Sequence, residues 1–566
     1  MYSSIITFIV GGAVHDIVHG LPSTHGDHYQ LNTDTLIRHA ARTYPEQEIV
    51  YRTTDGGWGR YTYADCYRRV RRLGNALRGL GVGPADVVGV IDWNSKRHFE
   101  LYWAIPALGS VMLQMNLRLA TDDLAFVTDH SHAKVIFVDE TLLPVAEALA
   151  AAGVGVQTWV VMTDKPLSEV ATTLPNAVSF EELMDDASED IDFPMIDETS
   201  AYSACYTTGT TGKPKGIYYS HRGIYLHSVS EAQGLSLTVD DTIMLITPMF
   251  HGNCWGLPQA GVFAATRFVL PGRYAAEETS TLVDAMIAED VTVANGAPAI
   301  FEPMLRYIET LTTKPDFGRT RLLSGATEPP LTMMRGFHDL TGADIVQGYG
   351  ATETTPLVTT NRGIKPSLRG LSDEQQWNHK RYQGLPMTGV DIRIVDAGGV
   401  DLPHDGASAG EILVRGPWIV ESYYDLDDND SRFFEGYWRS GDVGTIDEYG
   451  YLKVTDRIKD VIKSGGEWIS SIDMENAIVA HPNVVEAAVI GVPHPKWQER
   501  PVVLVATKDG ADLPLAEIHA LLDSQFAKWQ LPDVIIRLES LPRTSVGKLD
   551  KKVMRVNHAD VYAARS

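Results

Sequence analysis

Residues 206–216 read YTTGTTGKPKG, and this stretch, the most specific feature of the sequence, predicts a phosphate-binding loop that follows a β-strand. Its glycines let the backbone turn N–H groups towards an anion, since glycine adopts conformations that other residues avoid. Its threonines add hydroxyl donors and its lysines add positive charge. The residues concerned are Thr207, Thr208, Gly209, Thr210, Thr211, Gly212, Lys213, Lys215 and Gly216. The stretch therefore predicts a cradle for a polyphosphate.

The loop differs from the Walker-type loop of P-loop NTPases. That motif requires a serine or threonine directly after its lysine, where the hydroxyl group binds Mg²⁺. Here Pro214 follows Lys213, and Thr207 stands where the first glycine of the motif is required. The P-loop NTPase class is therefore excluded at two positions.

The sequence on both sides of the loop alternates strand and helix patterns. Thr62 and Asp65 form a capping-box pattern that begins a helix, and Val70, Leu73 and Leu77 then fall on one helical face. Short runs of β-branched residues between helical stretches are typical of parallel βαβ units. Such runs occupy residues 87–92, 134–139, 158–162, 242–248 and 267–272. We therefore predict an α/β protein with a large N-terminal domain of several subdomains, in which helices flank parallel-rich sheets.

The pattern becomes more compact from Thr455 onward. A charged linker, DRIKDVIK (456–463), comes before a helix, two strands, a helix and a strand. The predicted bounds of these elements are 471–480, 484–492, 501–507, 515–529 and 534–539. They predict a small α+β C-terminal domain with its own core.

Composition limits the possible functions. The 566 residues include 48 basic and 73 acidic side chains, and a net charge of −25 disfavours a general nucleic-acid binder. The three cysteines have no CxxC spacing, which argues against disulfides and a cysteine-based zinc site and favours a cytoplasmic protein. An apolar run at 5–10 lacks a basic residue before it, since the first is Arg38, so we expect neither a signal peptide nor a membrane span. At most, we expect peripheral membrane contact.

A second motif, QGYGATETTP (347–356), brings a carboxylate into a phosphate-binding protein. Two glycines flank Tyr349, whose ring is suited to stack on a purine. Thr352 and Glu353 place a hydroxyl and a carboxylate side by side. Because a carboxylate repels phosphate, a bridging Mg²⁺ is expected, and this ion binds one or two carboxylates together with phosphate oxygens.

Two further motifs lie in the last quarter of the chain. YWRSGDVGTID (437–447) places Asp442 in a glycine-flanked turn, where a carboxylate is suited to accept hydrogen bonds from both hydroxyls of a ribose. LPRTSVGKLDKK (541–552) presents Lys548 on a loop after a glycine.

These four loops, in this order, resemble the adenylate-forming superfamily of acyl-CoA synthetases, peptide-synthetase adenylation domains and luciferases. The similarity spans about residues 25 to 555 and is closest to bacterial medium- and long-chain fatty acyl-CoA synthetases. It is strongest in PMFHGNCW (248–255), IKSGGEWISSIDMENA (462–477), GVPHPKWQERP (491–501) and AKWQLPD (527–533). The resemblance implies that a carboxylate attacks the α-phosphate of MgATP to give acyl-AMP, and that the thiol of CoA then displaces AMP.

The resemblance also implies roles for individual residues. Thr207 and Glu353 are expected near Mg²⁺. The loop from Thr207 to Lys215 is expected to hold the β- and γ-phosphates. Lys548 is expected to bridge the carboxylate and the α-phosphate during adenylation only. Gly465, Gly466 and Glu467 are expected to take its place when CoA enters. The other expected nucleotide contacts are Gly325, Ala326, Gln347, Gly348 and Tyr349 for adenine, Thr352 for the α-phosphate, Asp442 and Arg457 for ribose, and Lys459, Lys463 and Trp468 around the adenylate.

The implied domain organisation is an N-terminal extension over residues 1–20, a large adenylation domain over 21–458 and a small mobile domain over 459–566, with Lys459 as the hinge. Rotation of one domain that presents two faces would serve the two half-reactions in turn. The relatives named above also suggest a homodimer.

The acyl pocket is expected around His251, Gly252, Asn253, Trp255 and Gly256. In the resembling fatty-acid enzymes the tryptophan gates an acyl tunnel, and His251 is suited to orient the carboxylate. The favoured substrate is a medium- or long-chain fatty acid. The SGATEPP stretch (324–330) carries Thr327 and Glu328 where many relatives have small residues.

Three alternatives stay open at this stage. In the first, the substrate would be a short-chain, branched, aromatic or sulfur-containing acid. In the second, the acyl group would pass to a carrier-protein thiol or to oxygen. In the third, the chain would be a non-catalytic nucleotide- or acyl-binding module. The SGGEW turn (464–468) and the lack of an appended carrier domain favour free CoA. The presence of both Lys548 and Glu353 argues against the non-catalytic module.

Overall fold

A computed structural model describes residues 20–26, 28–207, 213–274, 278–426, 429–464, 467–523, 525–543 and 549–562, without the side chains of Glu467 and Trp468. Several predicted features therefore lie outside the described residues. These are the N-terminal extension up to residue 19, five residues of the phosphate loop (208–212), Gly465, Gly466 and Lys548.

Fifteen helices occur in this part of the chain: α1 Asp34–Thr43, α2 Tyr63–Gly79, α3 Lys96–Ala104, α4 Thr121–His130, α5 Leu143–Ala151, α6 Phe180–Asp185, α7 His221–Leu235, α8 Leu257–Phe263, α9 Thr279–Ala288, α10 Pro298–Thr310, α11 Leu331–Thr341, α12 Asp373–Arg381, α13 Ser471–Val479, α14 Leu515–Leu522 and α15 Lys551–Asn557.

The strands of the same residues are β1 Glu48–Arg52, β2 Trp58–Thr62, β3 Val87–Ile91, β4 Val111–Gln114, β5 Ala133–Asp139, β6 Thr158–Met162, β7 Ala177–Ser179, β8 Ala201–Thr207, β9 Lys215–Ser220, β10 Thr242–Met244, β11 Arg267–Leu270, β12 Val293–Gly296, β13 Arg321–Ser324, β14 Asp344–Gly350, β15 Leu357–Asn361, β16 Leu385–Pro386, β17 Asp391–Val395, β18 Gly410–Arg415, β19 Phe433–Phe434, β20 Tyr437–Ile446, β21 Leu452–Arg457, β22 Ile462–Ser464, β23 Glu467–Ile469, β24 Val484–His494, β25 Gln498–Thr507 and β26 Val534–Arg537.

The described residues form two compact units, one within residues 1–391 and 414–438 and the other within residues 392–413 and 439–566. The first unit contains two large sheets. One has seven strands in the order β7-β6-β5-β3-β4-β8-β9, parallel except for the β8–β9 pair. The other has nine strands in the order β16-β15-β14-β13-β12-β10-β11-β1-β2, with a parallel centre from β14 to β1. The predicted parallel-rich α/β architecture is confirmed.

Both sheets bury apolar side chains beneath helices. Every residue of β3 is buried, as expected for a central parallel strand covered on both faces. The predicted capping box also forms, because the Thr62 hydroxyl accepts from Asp65 N while the Asp65 carboxylate accepts from Thr62 N. Val70, Leu73 and Leu77 of α2 are buried as predicted.

The second unit is a small α+β body, as predicted. Its C-terminal sheet has the order β23-β22-β25-β24, with β26 paired to β25, and α13 and α14 pack beside it. A further sheet joins β17, β18, β20 and β19, with β21 paired to β20.

Two predicted elements are too long. The strand predicted at 242–248 ends at Met244, because the amide groups of Asn94 and Asn295 bond to the backbone of residues 245–247. The helix predicted at 515–529 ends at Leu522. Beyond it, the Gln530 side chain accepts from Ala527 N in a local turn.

Candidate active site

The phosphate loop closes an antiparallel hairpin in the first unit. Strand β8 ends at Thr207 and β9 begins at Lys215, and these two residues are paired across the hairpin. The Lys215 ammonium lies 5.1 Å from the centre of the Tyr423 ring, and the Lys213 ammonium lies 4.4 Å from that of Phe126. Both lysines are thus held at the base of the loop by aromatic faces, which attract cations.

A hydrogen-bonded chain positions the carboxylate of the second motif. Glu353 lies in the short helical turn Thr352–Thr354 directly after β14. The Tyr423 hydroxyl donates to Glu353 Oε1 at 2.9 Å, and Trp438 Nε1 donates to the Tyr423 hydroxyl oxygen at 3.1 Å. Burial and the nearby Glu353 charge raise the pKa of Tyr423, which keeps the phenol protonated as a donor.

The first two motifs meet in this unit. The Tyr219 hydroxyl on β9 donates to the Thr352 carbonyl at 2.7 Å, and Tyr424 N donates to the Gly216 carbonyl at 2.9 Å. Tyr423 lies between Lys215 and Glu353. The structure therefore brings the end of the phosphate loop, the Thr352 backbone and the Glu353 carboxylate together, as the sequence predicts.

The expected adenine segment follows two neighbouring strand ends of the nine-stranded sheet. Gly325 and Ala326 come directly after β13, and Ala326 has a left-handed backbone with φ of 70°. Gln347 on the adjacent β14 donates from Nε2 to the Thr327 carbonyl at 3.4 Å, while its buried Oε1 has no partner among the described residues. Gly348 and Tyr349 continue along β14.

Glu328, which departs from the family pattern, forms an ion pair with Arg381 of α12. The sequence alone gives no sign of this partner, because the two residues are distant along the chain.

The expected acyl segment adopts an unusual backbone. Five successive residues, 252 to 256, have φ between 51° and 80°, a left-handed conformation that is strained for residues with side chains. The buried Asn253 amide donates to Ser203 Oγ at 3.1 Å and accepts from Gln114 Nε2 at 3.4 Å, which ties the segment to β8 and β4. His251, at its start, is exposed.

Trp255 contacts the expected adenine segment. A Cβ atom built on Gly325 would lie 3.0 Å from Trp255 Cη2. The indole therefore packs on the bare backbone of Gly325, so the segments that we assign to the acyl chain and to adenine are in direct contact.

The second unit holds the expected ribose residues. Asp442 and Arg457 are paired across β20 and β21, and Arg457 Nε lies 3.4 Å from Asp442 Oδ1. Burial and the Arg457 charge lower the pKa of the neighbouring Lys459. Lys463 is paired with Trp468 across β22 and β23.

The residues around Lys548 are anchored on both sides. Arg543 and Leu549 form a β-bridge, and Asp550 N donates to the Pro542 carbonyl at 2.8 Å. Lys551, at the start of α15, lies 2.7 Å from Glu475 Oε1 and donates to Ser471 Oγ at 2.6 Å.

Sequence reasoning missed Tyr423, Tyr219 and Lys551. A tyrosine in a mixed polar segment gives no motif signal, and Lys551 in KLDKK (548–552) looks like a solvated charge. Only the fold places Tyr423 and Tyr219 against predicted site residues and pairs Lys551 with Glu475 beside the segment of Lys548.

The described residues fit Mg²⁺ that is bound mainly through phosphate oxygens. They contain no cluster of three or more histidine, cysteine, aspartate or glutamate residues able to hold a metal ion alone. Glu353 supplies one carboxylate near the hairpin end, which is the ligand set that Mg²⁺ takes in nucleotide sites. When bound with ATP, this ion would partly neutralise the phosphate charge.

A parallel-rich α/β unit with a glycine–threonine hairpin beside a held carboxylate, followed by a small α+β unit, defines an adenylate-forming enzyme. The chain belongs to the family of AMP-binding enzymes, whose model matches residues 37–424, and the model of the AMP-binding enzyme C-terminal domain matches residues 473–548. It is an AMP-forming acid–CoA ligase.

Two relatives and one solved structure illustrate the similarity. The chain is 38% identical to the 3-methylmercaptopropionyl-CoA ligase of Ruegeria lacuscaerulensis, with 94% of this chain and 98% of that protein covered. It is also 38% identical to the long-chain-fatty-acid–CoA ligase of Thermus thermophilus, with 96% and 98% covered. The crystal structure of ATP-bound MatB from Rhodopseudomonas palustris matches with a TM-score of 0.76 and 25% identity over 94% of this chain and all of that one.

Within the described residues, no helix combines the length and the apolar character needed to cross a bilayer.

Proposed function

We propose that this protein converts a hydrophobic carboxylic acid, ATP and CoA into acyl-CoA, AMP and diphosphate, with a medium- or long-chain fatty acid as the favoured substrate. The observation that carries the proposal is the Lys215–Tyr423–Glu353 arrangement at the end of the phosphate hairpin. It supports placement of both positive charge and a metal-binding carboxylate beside a triphosphate.

In the first step, a carboxylate oxygen bonds to the α-phosphorus while the bond to the diphosphate oxygen breaks. Two anions meet, so positive charge must be supplied where negative charge concentrates. At about 4 Å and an effective dielectric of about 20, one lysine contributes roughly 4 kcal/mol. That energy corresponds to roughly a thousandfold in rate, and we assign the role to Lys548. Thr352 would contact the α-phosphate, and Asp442 with Arg457 would hold the ribose.

In the second step, the sulfur of CoA, after giving its proton to solvent, bonds to the acyl carbon while the bond to AMP breaks. No lysine bridge between two anions is needed at this point. We propose that the small domain turns about Lys459, so that Gly465, Gly466 and Glu467 replace Lys548. A cytoplasmic location and a homodimer stay predictions.

A panel of acids in a CoA-dependent diphosphate-release assay tests the substrate. Straight-chain acids of increasing length should be used with the highest kcat/KM at medium or long chain lengths. A maximum at short, branched or aromatic acids would contradict the fatty-acid proposal. Replacing CoA with a carrier-protein thiol tests the acceptor, and transfer to the carrier protein alone would contradict free CoA.

A second candidate substrate is a sulfur-containing acid. The relative named 3-methylmercaptopropionyl-CoA ligase has the same 38% identity as the long-chain fatty-acid ligase, so similarity favours neither substrate. Adding 3-methylmercaptopropionate to the panel beside pentanoate, a chain of similar length, separates the two. Preference for the thioether would favour this second candidate.

A further inference from the structure

Glu231 on α7 is a fully buried carboxyl group whose two oxygens have no hydrogen-bond partner among the described residues. The nearest base, His227 Nδ1, lies 3.6 Å from Glu231 Oε2, which is beyond hydrogen-bonding distance. Buried polar groups in folded proteins are nearly always hydrogen-bonded to protein, water or ligand. Glu231 therefore calls for a partner that none of the described residues supplies, and a bound ligand would provide one.

The position of Glu231 indicates where that partner binds. A Cβ atom built on Gly256 would lie 2.7 Å from Glu231 Oε2 and 2.4 Å from His227 Cε1. Gly256 ends the left-handed segment 252–256, which carries Trp255. The Glu231 carboxyl group thus touches the segment that we assign to the acyl chain.

His227 does not supply a compensating positive charge. Leu357 N donates to His227 Nε2 at 3.2 Å, so this nitrogen is the acceptor of a neutral ring and Nδ1 carries the proton. Burial lowers the pKa of His227 to about 3. Burial also raises the pKa of Glu231 well above its ordinary value, so its carboxyl group stays protonated. A neutral carboxyl group offers one O–H donor and one carbonyl acceptor.

We propose that Glu231 is a specificity-determining residue whose carboxyl group hydrogen-bonds a hydroxyl or carbonyl oxygen on the aliphatic chain of the acid substrate. The inference rests on the proposed function in that residues 251–256 form the acyl site. A plain alkyl chain would leave the carboxyl group without a partner. A thioether sulfur is only a weak acceptor, so an oxygen substituent suits the site better.

The test compares paired acids that differ only in a chain hydroxyl, such as dodecanoate and its hydroxy derivatives with the hydroxyl at successive carbons. The readout is the ratio of kcat/KM for the hydroxy acid to that for the plain acid, measured by CoA-dependent diphosphate release with the full chain. Wild type should favour one hydroxyl position. Glu231→Gln keeps a donor and an acceptor and should keep that preference. Glu231→Met removes both at similar volume and should lower the ratio by about tenfold to a hundredfold.

Gln233→Met, at an exposed position of the same helix, is the matched control and should leave the ratio unchanged. An equal loss for both acids in Glu231→Met would show a merely structural role and overturn the inference. Should Glu231→Met fail to fold, the test uses the wild-type kcat/KM ratio measured for each position of the hydroxyl group along the chain. If that ratio has no maximum at any position, the inference is overturned. Turnover of neither acid by wild type would instead reject the aliphatic-substrate proposal itself.

Discussion

Tyr423 illustrates how much a single side chain contributes at the residue scale. Its hydroxyl group holds Glu353, its ring faces the Lys215 ammonium, and Trp438 fixes the hydroxyl from behind. Tyr423 is therefore a positioning residue for the proposed metal-binding carboxylate. The orientation of this carboxylate depends on one hydrogen bond, and a substitution that removes only the Tyr423 hydroxyl group removes that bond and keeps the ring.

Tyr423→Phe is expected to weaken use of Mg²⁺ without removing the ring beneath Lys215. A hydrogen bond to a charged group contributes about 1.5 kcal/mol or more, so the Mg²⁺ concentration for half-maximal activity should rise roughly tenfold. The measurement is acid-dependent ATP–diphosphate exchange across a Mg²⁺ titration. Tyr424→Phe is the matched control, because that ring packs on Tyr218 and His130 instead. Equal Mg²⁺ curves for wild type and Tyr423→Phe would contradict the assigned role.

Glu231 supplies a pH-dependent prediction that is independent of catalysis. Its raised pKa means that the folded protein keeps a proton that the unfolded chain releases above about pH 4.3. The free energy of unfolding of wild type therefore falls by about 1.4 kcal/mol per pH unit from this group, from about pH 4.3 up to its raised pKa in the folded protein. Glu231→Gln lacks this contribution, so the variant should gain stability over wild type between pH 5.5 and pH 7.5. Urea denaturation at pH 5.5 and at pH 7.5 measures the free energy of unfolding of wild type and of the variant. If the difference between the two proteins is the same at both pH values, the assignment of a buried neutral carboxyl group is contradicted.

At the element scale, the sequence predicts chain segments better than it predicts their ends. The run TWVVM fixes β6 at residues 158–162 because β-branched residues favour a buried strand. The strand at 242 stops early because distant asparagine amides replace its sheet hydrogen bonds. The left-handed turn at 252–256 was also beyond prediction, since its tie to Ser203 and Gln114 exists only in the fold.

Because Trp255 contacts Gly325, we expect substitutions at these two positions to have coupled effects on kcat/KM. Trp255→Ala should loosen chain-length preference without abolishing ATP use. Gly325→Ala should displace the indole at a cost of about 1–3 kcal/mol, typical of overpacking, and lower kcat/KM for the preferred acid at least several-fold. In the Trp255→Ala background the added methyl group meets no ring, so Gly325→Ala should have little further effect. A double-mutant cycle over the acid panel measures the coupling, and additive effects would argue against it.

At the scale of the whole molecule, the four motifs divide between the two compact units. The phosphate hairpin and Glu353 belong to the first unit, while Asp442, Arg457 and the residues flanking Lys548 belong to the second. The sequence prediction instead placed Asp442 and Arg457 in a large domain ending at residue 458, while the compact unit that contains them begins again at residue 439. The contacts that anchor the motifs, such as the Tyr423–Glu353 hydrogen bond and the Lys551–Glu475 ion pair, join residues far apart in the chain and needed the structure.

Lys548→Ala tests whether the small domain uses different residues for the two half-reactions. Loss of one lysine charge from the meeting of carboxylate and α-phosphate should slow adenylation by roughly a thousandfold. Thioester formation from supplied acyl-AMP needs no such charge and should keep nearly its wild-type rate. Each half-reaction is followed alone, by ATP–diphosphate exchange and by CoA-dependent AMP release from acyl-AMP. Lys552→Ala, an exposed lysine in the same segment, is the control for general loss of charge. If Lys548→Ala slows both half-reactions equally, Lys548 acts in both, and alternation of the small domain does not explain the chemistry.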